Sequence, residues 1–414
     1  MDYKKDSIFN TLGNFAYLGV LWVISVLAVR MGSFETAGYF ALALTTSNIY
    51  IAIASYTVRL YYAADVQAKY SDRQYFIMRL ITTAISFILC IVVSSIIGYQ
   101  KYSLQVIIIF YVFKIFEMLS DIIYGAMQRH GKLYVAGYSM IIKSVAVLAV
   151  FVVLMLIFKE LLIAIIGMCI IAAGSFAFMD LGYSRHIGVK LLPWKAADYR
   201  AAFKLMWVCI PLLLVGICYN LIPVIPRLSF EKMYSTAEYG IFSSLSTVTV
   251  LISTAINCVT VPFISRLSTY YQENKIKNFV KILIGLCGLT IGLGAVALLL
   301  SFLVGKPVLI LLFGAEIGGY MNVFNQVIVA TVFTSLVICL NAVLTAADKQ
   351  KWILLGNIPG ITVCLLFSNI FCKTYYMSGV SYILILSQGI NTLVLGIIII
   401  LVLKKQYRRN QTGN

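Results

Sequence analysis

The feature that most limits what this chain can fold into is a succession of long apolar runs, repeated from Ile8 almost to the C-terminus. A helix needs roughly 20 apolar residues to cross a hydrocarbon core of about 30 Å. Runs of that length are expected as helices at roughly 8–30, 37–62, 78–98, 104–127, 134–157, 161–181, 206–227, 238–263, 280–304, 320–345, 352–372 and 380–403. Hydrophobic residues make up 61% of the chain and charged residues 11%, whereas a soluble domain is about 25% charged. That balance excludes a cytosolic enzyme, a disordered chain and a disulfide scaffold. The expected fold class is an all-α polytopic membrane protein, with about twelve transmembrane helices in two six-helix lobes around a central cavity. No connection between runs exceeds about 25 residues, too few for a folded soluble domain. The first run has no small-residue cleavage site before Arg30 and therefore reads as a span, not as a removed leader.

Lys and Arg number 32 against 15 Asp and Glu, a formal net charge of +17. In a soluble protein this would suggest nucleic acid. Between spans it marks topology, because cytoplasmic loops collect Lys and Arg. With the N-terminus inside, the loops of that side hold about three times as many basic residues as those of the other. Both termini are thus expected in the cytoplasm, and no nucleic-acid partner is expected. The longest inside connection, 183–205, contains Pro193 and Trp194. It suits an interfacial linker between an N-terminal lobe, 1–182, and a C-terminal lobe, 206–414, that ends in a short basic tail. Thr36-Ala37-Gly38-Tyr39 and Thr236-Ala237-Glu238-Tyr239 open corresponding helices of the two halves. Parallel repeats of this kind are a common transporter plan, with substrate held between halves. The nine cysteines mostly sit in apolar runs without metal-ligand spacing. HExxH, CxxC, GxxxxGK[ST] and GxSxG are absent, so no catalytic residue, metal or cofactor is expected. His130 and His186 fall in inside loops, on a solvated basic face.

Ionisable groups at membrane depth are costly and usually mark a pathway or a paired site. In the fourth helix Lys114, Glu117, Asp121, Gly125 and Gln128 recur at steps of three and four, on one face. Glu117 and Lys143 lie at similar distances from the turn near Gly131, so they are expected to pair across the hairpin. That pair either fixes helix register or belongs to a working site, and Glu117 and Asp121 are candidates for ion coupling. Thr45, Asn48, Ala52, Ser55, Arg59 and Tyr62 form a polar and small stripe along the second helix. Arg59 is either an interfacial snorkelling side chain or a planar fork for phosphate. Pro211, Pro223 and Pro226 interrupt the seventh helix, as a hinge or as static curvature.

Arg30-Met31-Gly32 with Gly38-Tyr39, Val58 to Asp65, EMLSDIIYGAMQ from Glu117 to Gln128, Ile225-Pro226-Arg227 with Phe230-Glu231-Lys232, and Leu311 to Gly314 form a set of segments that resembles the oligosaccharide flippases of the polysaccharide transporter family, in the superfamily that also holds the multidrug and toxin (MATE) exporters. Val58 and Leu228 depart from the family pattern. The resemblance implies a non-enzymatic flippase in the bacterial cytoplasmic membrane, working by alternating access. It would carry undecaprenyl-diphosphate-linked oligosaccharide units from the inner to the outer leaflet for a surface polysaccharide such as O-antigen or capsule. Such a substrate needs cations for its diphosphate, which Arg59, Arg30, Lys114 and Lys143 can supply. Asn14, Tyr17, Asn48, Tyr219 and Asn220 can serve the sugars. Membrane lipids and a polysaccharide polymerase are the further partners in this reading. The alternative is a MATE-type ion-coupled drug/cation antiporter, which would want unpaired acids. A membrane polymerase or ligase would need a large outside loop with catalytic Arg or His, which the chain lacks.

Overall fold

The computed structural model describes residues 3–65, 69–189, 191 and 195–412. Lys190, Pro193 and Trp194 of the expected linker lie outside the described residues. The helices in chain order are α1 (Tyr3–Leu27), α2 (Phe34–Ser55), α3 (Val58–Ala64), α4 (Asp72–Ile97), α5 (Lys101–Arg129), α6 (Leu133–Phe158), α7 (Leu161–Gly174) and α8 (Leu181–His186). They continue as α9 (Ala196–Met233), α10 (Thr236–Gln272), α11 (Ile276–Leu300), α12 (Lys306–Phe313), α13 (Met321–Ala346), α14 (Gln350–Tyr375) and α15 (Met377–Thr412). Among the described residues, 11 helical segments are long and apolar enough to cross a membrane. The remaining expected span, 104–127, lies in α5. That helix is 29 residues long and carries Lys114, Glu117 and Asp121 along its length. The chain is an all-α, multi-pass membrane protein. Its large exposed side chains, such as Ile96, Phe178 and Leu311, are what a hydrocarbon solvent accepts.

The chain divides into two compact units, Met1–Asn220 and Leu221–Asn414. The division falls inside α9, which begins within the linker expected at 183–205. In the first unit α1 lies against α6 so closely that only glycine fits. A Cβ at Gly137 would stand 2.2 Å from the Phe9 carbonyl oxygen, and one at Gly13 would stand 2.9 Å from the Gly137 carbonyl oxygen. Close backbone approach through small residues is how helices associate without a hydrophobic driving force. Asp6 then caps α6 by accepting from the Tyr134 amide at 2.9 Å.

The second helix departs from expectation. The sequence reads as one helix over 37–62, but Tyr56 (φ 50°) and Thr57 (φ 53°) are both left-handed and separate α2 from α3. No Gly or Pro announces this break. It leaves last-turn carbonyls of α2 without helical donors. Arg79 Nη1 and Thr82 Oγ1 from α4 bond to the Ala54 carbonyl instead, at 3.0 and 2.8 Å. The polar stripe of the second helix therefore stops at Ser55, and Arg59 sits on a separately oriented turn.

In the second unit α14 and α15 pack through Gly379, whose Cβ would meet the Phe371 carbonyl oxygen at 2.2 Å. Asn391 Oδ1 accepts from the Gly360 amide at 2.8 Å. Helix α9 passes through Pro211, Pro223 and Pro226 without interruption. Proline at 226 deprives the Ile222 carbonyl of its helical donor, and the Cys364 thiol bonds to that oxygen at 3.7 Å.

Candidate functional site

The site is built around α5 in the first unit. Steps of three and four keep Glu117, Asp121 and Tyr124 on one face of α5, where side chains from α1, α3, α4 and α6 meet them. Glu117 Oε2 accepts from Lys114 Nζ at 2.8 Å and from the Tyr17 hydroxyl of α1 at 2.6 Å. Asp121 takes two guanidiniums, Arg59 Nη1 on Oδ1 at 2.9 Å and Arg79 Nη2 on Oδ2 at 3.1 Å. Ser120 donates to Asp180 Oδ2 at 2.5 Å, and Ser139 of α6 bonds to the other oxygen of the same carboxylate. Tyr124 stands between two cations, with Lys143 Nζ bonded to its hydroxyl at 3.2 Å and lying 5.4 Å from the ring centroid. The Arg59 guanidinium lies 5.9 Å from the same centroid. At Gly125 a Cβ would come within 3.0 Å of the Tyr62 ring and 3.3 Å of the Arg59 stem. The glycine thus lets α3 lie directly on α5.

Helix α3 is held from its far end as well. The Tyr62 ring stacks on Tyr75 at 4.0 Å, and its hydroxyl donates to Asp72 at 2.8 Å. Asp72 also faces Arg129 at 3.5 Å and His130 at 3.3 Å. His130, expected on a solvated face, is therefore part of this clamp. Next to it, Asp65 accepts from the Lys69 and Tyr70 amides at 2.9 and 3.0 Å and from the Tyr75 hydroxyl at 3.0 Å. Partial burial raises the Asp65 pKa, but these hydrogen bonds outweigh it and hold the carboxyl below its usual value.

Asn14, Tyr17, Arg59, Glu117, Asp121 and Lys143 line one cavity of about 140 Å³, with Tyr124, Met118 and Met140. Six of the residues singled out from sequence thus converge. The expected Glu117–Lys143 ion pair does not form. Glu117 is satisfied along its own helix by Lys114, and Lys143 reaches Tyr124 first, although both acid and amine open on the same cavity. Lys114 is 3% exposed on its side chain and sits behind Glu117, 5.1–5.3 Å from the Tyr17, Phe110 and Phe113 ring centroids. It is outside the cavity lining. Arg30 is exposed in the turn that ends the first span, about 20 Å along the helix from Tyr17. Asn48 is half-buried on α2 and does not line the cavity. The Asn220 side chain is turned back on the Gly216 carbonyl of its own helix at 2.8 Å.

Two central residues were not singled out from sequence. Arg79, the second residue of the run expected over 78–98, reads from sequence as one of the basic residues at the inside edge of a span, yet it is completely buried and ion-paired. Asp180 is also completely buried, on a π-helical turn, Ser175–Asp180, that joins α7 to α8. The sign of a charge inside an apolar run was available at both positions, but not the partner. Formally, Arg59, Arg79, Lys114 and Lys143 outnumber Glu117, Asp121 and Asp180 by one. The cluster can therefore hold an anion, and it offers no unpaired acid for a cation on the Asp121 side.

In fold the chain is similar to membrane transporters of the MATE and MOP-superfamily type. The lipid II flippase MurJ in its inward closed conformation matches with a TM-score of 0.71 at 14% identity, over 96% of this chain and 89% of that one. An inward-facing multidrug resistance MATE family transporter of the MOP superfamily matches with a TM-score of 0.65 at 15% identity, over 98% and 96%. In sequence, the chain is similar to the capsular polysaccharide biosynthesis protein CapF of Staphylococcus aureus. The two are 26% identical over 386 residues, 91% of this chain and 96% of CapF. No protein-family profile matches the chain.

Proposed function

We propose that this protein is a flippase for lipid-linked oligosaccharide units in the synthesis of a surface polysaccharide. The observation that carries the reading is the net-cationic cluster around Asp121 in a chain similar along its length to a capsular polysaccharide biosynthesis protein. The substrate we infer is an undecaprenyl-diphosphate-linked unit, moved from the inner to the outer leaflet of a bacterial cytoplasmic membrane by alternating access. The two lobes act as the moving bodies, and both termini are cytoplasmic. Arg59 and Lys143 meet the diphosphate at the cavity, and Asn14 and Tyr17 meet sugar. A guanidinium fork has five donors, so Arg59 can bind phosphate while one nitrogen remains on Asp121. Lys114 positions Glu117, and Asp121 positions Arg59. Any ion coupling falls to Glu117 and Asp121, and a polysaccharide polymerase is the partner that consumes the product.

A MATE-type cation antiporter is the second reading, favoured only by the fold. Against it stand two carboxylates already neutralised by guanidinium and ammonium groups. The test is glycan export in a strain that depends on this protein. Arg59→Ala, present in the membrane at normal level, should abolish surface glycan and leave lipid-linked units inside. Full export by the variant, or restored drug resistance without export, would overturn the proposal.

A further inference from the structure

The second unit holds a cavity of about 330 Å³, where the end of α15 meets the start of α14 and the end of α10. It plays no part in the site described above. Its lining changes character along α15. Ile398, Leu401, Val402 and Lys405 fall at steps of three, one and three, on one helical face. Ile398 is buried, Val402 half-buried and Lys405 exposed, so the wall runs from apolar to cationic as it leaves the helix bundle. Lys349, just before α14, and Trp352 in its first turn face the same space. Among the described residues neither Lys349 nor Lys405 makes an ion pair, and no acidic side chain lines the cavity. Lys349 precedes the first turn of α14, where free backbone N–H groups and the helix dipole add to the positive field. Two ammonium groups without an acidic partner among the described residues, beside an indole and an aliphatic wall, are matched by an amphiphile with an anionic head. An inorganic anion would leave the wall unused, and a neutral lipid would leave the charges unused.

The geometry points to a site for an anionic phospholipid at this end of the second unit, its phosphodiester held between Lys349 and Lys405 and its acyl chain along Ile398, Leu401 and Val402. Basic pockets between helices at the cytoplasmic face recognise such headgroups, and the excess of Lys and Arg assigns these helix ends to that face. The inference is independent of what the first unit transports.

The test is native mass spectrometry of the full-length, delipidated protein titrated separately with dioleoylphosphatidylglycerol, dioleoylphosphatidylcholine and inorganic phosphate. The wild type should bind phosphatidylglycerol in preference to phosphatidylcholine. Replacing both lysines (K349Q/K405Q) should weaken phosphatidylglycerol binding about thirtyfold and leave phosphatidylcholine binding alone. The pair K349R/K405R should retain the preference, which separates loss of charge from loss of fold. Unchanged phosphatidylglycerol binding in the Gln pair, or equal binding of the two lipids by the wild type, would overturn the proposal. So would displacement of phosphatidylglycerol by millimolar inorganic phosphate with the same lysine dependence, which would assign the site to the free anion.

Discussion

Asp121→Ala removes the carboxylate on which two guanidiniums meet, and the two arms are unequal. Arg79 has a side-chain exposure of 0%, and its contact with Asp121 is 3.1 Å. Removing one partner of a buried pair leaves an uncompensated charge and costs about 3–5 kcal/mol. Arg59 and Asp121 are 22% and 24% exposed, so that arm adds about 0–1 kcal/mol. Arg79→Met alone should cost about 1–3 kcal/mol, because Asp121 keeps Arg59 and the Ala54 carbonyl keeps Thr82. The informative variant is the double, Asp121→Ala with Arg79→Met. It contains no orphaned buried charge, so it should be more stable than Asp121→Ala alone. The assay is equilibrium unfolding in mixed detergent micelles, followed by far-ultraviolet circular dichroism. A double mutant whose loss equals the sum of the two singles would refute the reasoning.

Gly125→Leu, by driving a side chain into Tyr62 and Arg59, should reduce transport on the order of 10²-fold, the effect of a displacement of about 1 Å in a preorganised site. Its size-exclusion profile should stay normal, and wild-type transport by this variant would show that the position of Arg59 is immaterial. Asp180→Leu should destabilise by about 1–3 kcal/mol for the Ser120 hydroxyl left buried without this partner, since Ser139 keeps the Tyr124 hydroxyl, and Asp180→Asn by less, read in the same unfolding titration. For Asp65 the depressed pKa fixes the sign. Its stabilisation is complete above the ordinary carboxylate pKa, near 3.8, and is lost as pH falls through the lower folded value. Protection of the Lys69 and Tyr70 amides in hydrogen exchange, after correction for intrinsic rates, should therefore survive at pH 5 and vanish in stronger acid. Asp65→Ala should lack it at every pH.

Hydropathy was enough to find the helices, because in a membrane the length and greasiness of a run leave the backbone one choice. The cluster was legible in its residue types for the same reason: Lys114, Glu117, Asp121 and Lys143 stand out against apolar neighbours. Its pairing was not. Equal depth across the hairpin suggested Glu117 with Lys143, but depth does not fix azimuth: Glu117 is bonded to Lys114 and Tyr17, and Lys143 to Tyr124. Arg79 reads as a loop cation because it lies within two turns of a helix start. Its burial follows from the break at Tyr56–Thr57, which frees the Ala54 carbonyl for it. That break is written in tertiary contacts and not in turn-forming residues, so no local signal reveals it.

The proposed function has the Arg59 cluster receive the anionic head of the lipid-linked unit. It is tested most directly with purified protein in liposomes carrying a fluorescent undecaprenyl-diphosphate-linked saccharide, by timing the arrival of label at the opposite leaflet. The wild type should speed that transfer, Arg59→Ala should return it to the protein-free rate, and Arg59→Lys should fall between, since ammonium keeps the charge and loses the fork. Transfer by Arg59→Ala at the wild-type rate, or no transfer by the wild type together with uptake of a cationic dye, would contradict the account.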